Sequence, residues 1–131
     1  MSSTPLPPGS PPLGPPDVAE HRDLIAQWAA FVAGLSEAYV FDLDNWLNDV
    51  DIRQLIREAS PMFSAAELGT HATTLREADQ HFLLATRDVG KCLWGRRTAR
   101  REKWTAAENW WYFRAPLRSN AELDEELMRV R

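Results

Sequence analysis

The sequence predicts an all-α protein. The expected architecture is a compact bundle of four to six helices with a long third helix as its spine, preceded by a disordered, proline-rich N-terminal tail. Three observations predict it. Seven of the nine prolines fall within residues 1–16. After them, one helix-start pattern recurs four times. Between those starts, apolar residues repeat at helical spacing.

The tail is Met1–Pro16. Proline lacks an amide donor and fixes φ, so this stretch can join neither a helix nor a sheet ladder. A flexible or polyproline II segment is expected. Pro5-Leu6-Pro7-Pro8 fits a PxxP pattern, but no arginine or lysine flanks it to support docking. Residues 17–131 remain for one helical domain, long enough to bury a core without disulfide staples.

The recurring pattern is a capping residue with glutamate three positions later. It occurs at Asp17-Val18-Ala19-Glu20, Ser64-Ala65-Ala66-Glu67, Thr105-Ala106-Ala107-Glu108 and Ser119-Asn120-Ala121-Glu122. The cap oxygen accepts an orphan amide hydrogen, and the glutamate reaches back to the amide of the cap.

The first helix is expected over Val18–Ala33, with Leu24, Ile25, Trp28, Phe31, Val32 and Leu35 toward the core and Gly34 as its stop. Glu37–Phe41 reads as either a helix start or a short extended link. Asp42–Ala59 reads as helix, with Leu43, Trp46, Leu47 and Val50 on one side and a restart near Asn48–Asp51 left open. Pro61 ends it. The third helix is expected over Ala65–Leu93. Leu68, Ala72, Leu75, Asp79, Phe82, Thr86, Val89 and Leu93 alternate in steps of four and three, the seam of a long packed helix. Thr98–Trp104 reads as a short basic helix or a loop. Ala106–Phe113 reads as a short helix, although Trp110-Trp111-Tyr112-Phe113 also suits a strand. Ala121–Arg129 closes the chain as a helix.

The formal net charge is −4, and its distribution is polar. Residues 17–61 carry nine acids against three bases, whereas residues 94–118 carry two acids against seven bases. The favoured reading is that the acidic and basic halves face each other within the fold. The alternative is a basic patch for an acidic partner. Overall acidity argues against a dedicated nucleic-acid binder. Cys92 is the single cysteine, which excludes an intrachain disulfide and favours a cytoplasmic setting. Neither a signal peptide nor a membrane helix is expected.

Asp79 is the most pointed single residue, a carboxylate at a seam position where apolar side chains are expected. Such a group needs a partner. Arg76, one turn earlier, or a base from residues 94–118 is the expected one, making a buried salt bridge that sets helix register. An acid with a shifted pKa in a cleft is the sharper alternative. His71 and His81 follow Glu67 and Glu77 by four positions, but the two pairs lie about 15 Å apart along a helix, so surface pairs are expected and no metal site. His21 is expected to be exposed. Asp42, Asp44, Asp49 and Asp51 do not form a calcium loop, because Trp46 occupies a ligand position and the central glycine is missing. Cys92 lies near Lys91 and Arg96, which favours a thiolate, yet a small buried thiol is the commoner outcome. With no phosphate-cradling loop and no triad context, neither enzymatic activity nor a cofactor is expected.

The strongest partner signal is Arg96, Arg97, Arg100, Arg101 and Lys103, flanked by Trp94, Trp104, Trp110, Trp111 and Tyr112. Trp, Tyr and Arg dominate interface hot spots. The sequence therefore predicts a non-enzymatic protein-binding module with an adaptor or regulatory role. The expected partner is another protein, with an acidic one suited to the patch, contacted through Arg96, Arg97, Arg100, Arg101, Lys103, Trp104, Trp110, Trp111 and Tyr112. The alternative is nucleic-acid binding through residues 94–114, with arginines on phosphates and aromatics on bases.

Overall fold

The computed structural model describes residues 17–131; the proline-rich tail expected over residues 1–16 lies outside them. The described chain is mostly helical. It runs α1 (Val18–Ala33), α2 (Leu43–Ala59), α3 (Ala65–Leu68), α4 (Thr70–Ala85), β1 (Thr86–Asp88), α5 (Arg96–Glu102), β2 (Arg114–Pro116) and α6 (Ala121–Arg129), with short 3-10 turns at Gly34–Ser36, Ser60–Met62 and Trp110–Phe113. No helix of the described residues is long and apolar enough to cross a membrane.

The helix starts follow their sequence signals closely. Asp17 caps α1 through the amide of Ala19, and Asp42 caps α2 through that of Asn45. Ser64 and Glu67 form a complete capping box on α3. The fourth site shifts by one residue, since Asn120 rather than Ser119 accepts from the Leu123 amide. At the third, Glu108 N–H donates to Thr105 Oγ1, closing only a turn ahead of the Trp110–Phe113 3-10 segment.

The expected spine helix over Ala65–Leu93 is not continuous. Gly69 interrupts it with φ +56 and ψ −130, backbone that a side chain disfavours. At the other end Thr86 terminates α4. Its hydroxyl donates to the Phe82 carbonyl at 2.6 Å and accepts from Arg114 Nε at 2.8 Å. Those bonds turn the chain into β1, which pairs antiparallel with β2 in the register Thr86–Pro116, Arg87–Ala115, Asp88–Arg114. Val89 and Leu93 still face inward, but from a loop. By contrast α2 is unbroken through Asn48–Asp51, and Glu37–Phe41 is a link carrying one bridge, Tyr39 to Ser119.

Three helices hold the core. Phe31 meets Trp46 at 5.6 Å between α1 and α2, and Trp28 meets Phe82 at 5.0 Å between α1 and α4. Trp110 then closes on Phe82 at 5.7 Å. Trp28, Trp46, Trp111, Tyr112, Phe82 and Ile25 are fully buried, so aromatic area supplies much of the hydrophobic stabilisation.

One polar cluster crosses this core. Asp79 on α4 accepts two bonds from Arg53 on α2, at 2.9 and 3.0 Å, and a third from Trp28 Nε1 at 2.9 Å. The guanidinium also lies over the rings of Trp110 and Trp111, at 5.6 and 4.9 Å from their centroids. Asp79 is thus held in a structural ion pair, but not with the expected partner. Arg76 is exposed and reaches Thr73 on its own helix. Both α2 and α4 pack on α1, and the long Arg53 side chain reaches across the core to Asp79.

Candidate functional site

α5 and the loops on either side of it carry the candidate site. Arg96-Arg97-Thr98-Ala99-Arg100-Arg101-Glu102 is helix, and its end is a turn of the Schellman type. Lys103 takes the left-handed conformation at φ 63, and the Trp104 amide donates back to Ala99 at 2.9 Å. This turn folds Trp104 onto Tyr112, with ring centroids 4.3 Å apart. Tyr112 is in turn tied to α2, donating to Asp51 at 2.6 Å. Asn109 makes the neighbouring tie, donating to Gln54 at 2.9 Å. The aromatic segment is therefore clamped to α2 and α5 is mounted on its outer side.

The other border is residues 130–131. Arg96 N–H donates to the Arg131 main-chain oxygen at 2.7 Å, and Lys91 Nζ to the Val130 carbonyl at 2.8 Å. Gly95 passes so close that a Cβ there would stand 3.3 Å from the Arg131 oxygen. These contacts enclose a cleft of about 730 Å³. Its apolar wall is Cys92, Ala99, Trp104, Phe113 and Val130, and its charged groups are Lys91, Arg96, Arg100, Lys103 and Arg131. No acidic side chain lines it. A second hollow, about 400 Å³, adjoins it and is lined by Arg96, Arg97, Arg100 and Arg131 alone.

The charge on this face is not cancelled from within. Among the described residues, the one ion pair made by Arg96, Arg97, Arg100, Arg101 or Lys103 is Arg101 to its neighbour Glu102, at 3.3 Å on exposed side chains. The acidic half was expected to neutralise these bases, but five of its nine carboxylates are engaged elsewhere and none of the nine pairs with α5. Asp17 and Asp42 cap helices, Asp49 accepts from Tyr39, Asp51 from Tyr112 and Glu58 from Gln54.

The predicted contact residues divide by burial. Arg96, Arg97, Arg100, Arg101 and Lys103 are exposed, and Trp104 and Trp110 are half-buried. Trp111 and Tyr112 each retain 1% exposure and cannot meet a partner. They belong to the core because the aromatic run packs onto α2 and α4 rather than pointing outward. Sequence reasoning missed Lys91, Val130 and Arg131. Their place at the site follows from the chain's return after α6, which no local pattern encodes.

Two further candidates, Cys92 and His21, are buried. Cys92 is buried, and burial pushes its thiol above the ordinary range. His21, expected at the surface, is 2% exposed and stacked on Phe63 at 4.7 Å, with neither ring nitrogen hydrogen-bonded. Burial, aided by Arg53, holds its imidazole below the usual pKa. Among the described residues, no three His, Cys, Asp or Glu side chains are grouped so as to hold a metal ion.

Compared with known proteins, the chain matches no family model, no curated protein and no solved structure. The geometry of the α5 face is therefore what a functional reading has to rest on.

Proposed function

We propose that this chain is a non-enzymatic, cytoplasmic protein-binding module that docks an acidic partner on the outward face of α5. One observation carries the reading: Arg96, Arg97, Arg100 and Lys103 are exposed, and no described carboxylate lies within ion-pair distance of them. Several like charges held on one rigid helix repel one another and set up a field that draws an anionic surface. Arginine adds a planar fork that matches a carboxylate in two hydrogen bonds. The raised thiol of Cys92 and the buried, unpaired ring of His21 are poorly suited to act as nucleophile or base, which supports leaving catalysis out.

The test is capture from native cell extract with a tagged chain, beside a charge-reversed variant (R97E with R101E) and a control variant reversed at Arg87, an exposed base on β1. A partner that survives in the control and is lost in the α5 variant supports the reading. Equal recovery by both variants refutes it.

A second reading, single-stranded nucleic acid, is favoured by Trp94, which is 37% exposed beside the arginines and offers a stacking surface. Titration with generic RNA and DNA over a salt series separates the two, because a phosphate interface must weaken steeply with salt.

A further inference from the structure

We propose that the cleft between α5 and residues 90–92 is a binding site for a small amphipathic anion, a molecule with an apolar body and a phosphate or carboxylate head. This goes beyond the protein-docking reading, because its ligand is a small molecule seated inside the cleft, and it shares Arg96, Arg100 and Lys103 with that reading.

Three features point to this ligand class. The first is size and shape. At about 730 Å³ the cleft falls within the range that takes small molecules. It is also a built concavity, since the Arg96–Arg131 and Lys91–Val130 hydrogen bonds pin its far wall.

The second is the separation of its chemistry. Cys92, Trp104, Phe113 and Val130 form an apolar wall at one end. Arg96, Arg97, Arg100 and Arg131 alone line the hollow at the other, and three of those arginines are shared between the two spaces. A purely apolar ligand leaves the arginines unanswered, and a bare inorganic anion leaves the apolar wall wet. A molecule with both parts satisfies both ends.

The third is electrostatic. No acidic side chain lines either space, so the guanidinium groups there repel one another, and an anion seated among them reverses that cost. Their forks suit the oxygens of phosphate or carboxylate. A cationic head, by contrast, would meet five like charges and no acidic side chain.

The experiment is calorimetric titration of the full chain with four probes of equal chain length, kept below micelle formation. They are dodecyl phosphate, dodecanoate, dodecyl maltoside and dodecyltrimethylammonium, with inorganic phosphate as a fifth titrant. Two variants accompany them. R96E with R100E reverses the head site, and Ala99→Trp fills the apolar end. Circular dichroism checks that each is folded.

The expected result is one equivalent of an anionic probe bound, with the tighter of phosphate and carboxylate naming the head group. Affinity should fall roughly tenfold or more in the charge-reversed variant, and fall again in A99W. Inorganic phosphate alone should bind far more weakly than its dodecyl ester. Equal binding of the neutral or cationic probe would overturn the proposal, because it would show adhesion to apolar surface only. Unchanged affinity in both variants would overturn it too, by placing the site elsewhere. Loss of the probe in A99W with capture of the α5 partner retained would support the cleft separately from the docking reading.

Discussion

Removing the carboxylate of Asp79 should unlock the centre of this fold. Asp79 answers the Arg53 guanidinium with two hydrogen bonds and the Trp28 indole with one. The Arg53 and Asp79 side chains keep only 14% and 20% exposure, and the guanidinium is covered by two tryptophan rings. Truncation to alanine leaves a poorly hydrated cation with no counter-charge. Breaking a buried pair in that way costs about 3–5 kcal/mol, and residual solvent contact sets this one at about 3 kcal/mol. The orphaned Trp28 donor adds about 1 kcal/mol. D79A should therefore lose about 3–4 kcal/mol in urea unfolding, a large share of the stability of a small protein. The double variant Asp79→Leu with Arg53→Met removes both charges, so it should be more stable than D79A alone. A loss below about 1 kcal/mol in D79A, or a double variant no better than the single, would refute the reasoning.

Other substitutions test other parts of the structure. Gly69→Ala should cost about 1–3 kcal/mol by thermal unfolding, and the cost is conformational because nothing lies within 4 Å of the added methyl. Lys103→Gly should stabilise by about 0.5–1 kcal/mol, since it relieves a left-handed residue at the end of α5. Trp111→Ala should cost about 3–5 kcal/mol by emptying the fully buried indole site. His21 makes the fold sensitive to acid. Its folded-state pKa lies below the ordinary 6.5, so its contribution is present above that value and is lost as pH falls through it. His21→Leu should flatten the decline of melting temperature with falling pH just below 6.5, and an unchanged slope would contradict the assignment.

Much of this fold is legible in the sequence, and where it is not, the reasons are tertiary. α1 starts at its expected cap and α6 one residue past it, because a cap and its helix are close in sequence. The seam from Leu68 to Leu93 does turn inward throughout, yet spacing alone does not prove one continuous helix. Thr86 leaves α4 because Arg114, 28 residues away, offers a better set of hydrogen bonds. The choice of Arg53 over Arg76 for Asp79 has the same origin, since helix neighbours are set by packing. His21 is buried by Phe63, which lies beyond the whole of α2. In the candidate site, the arginines of α5 are legible as a run, whereas the apolar wall and the far border come from four separate stretches of chain. Whether the run would be neutralised was also out of reach. That depended on the acids of α2, and two of them hydrogen-bond to tyrosines instead.

The most direct test of the docking account is amide hydrogen exchange on the chain with and without its captured partner. New protection is expected over residues 96–104, with α1 and α4 unchanged. Protection centred instead on the exposed side of α4, around Leu83 and Leu84, would contradict it.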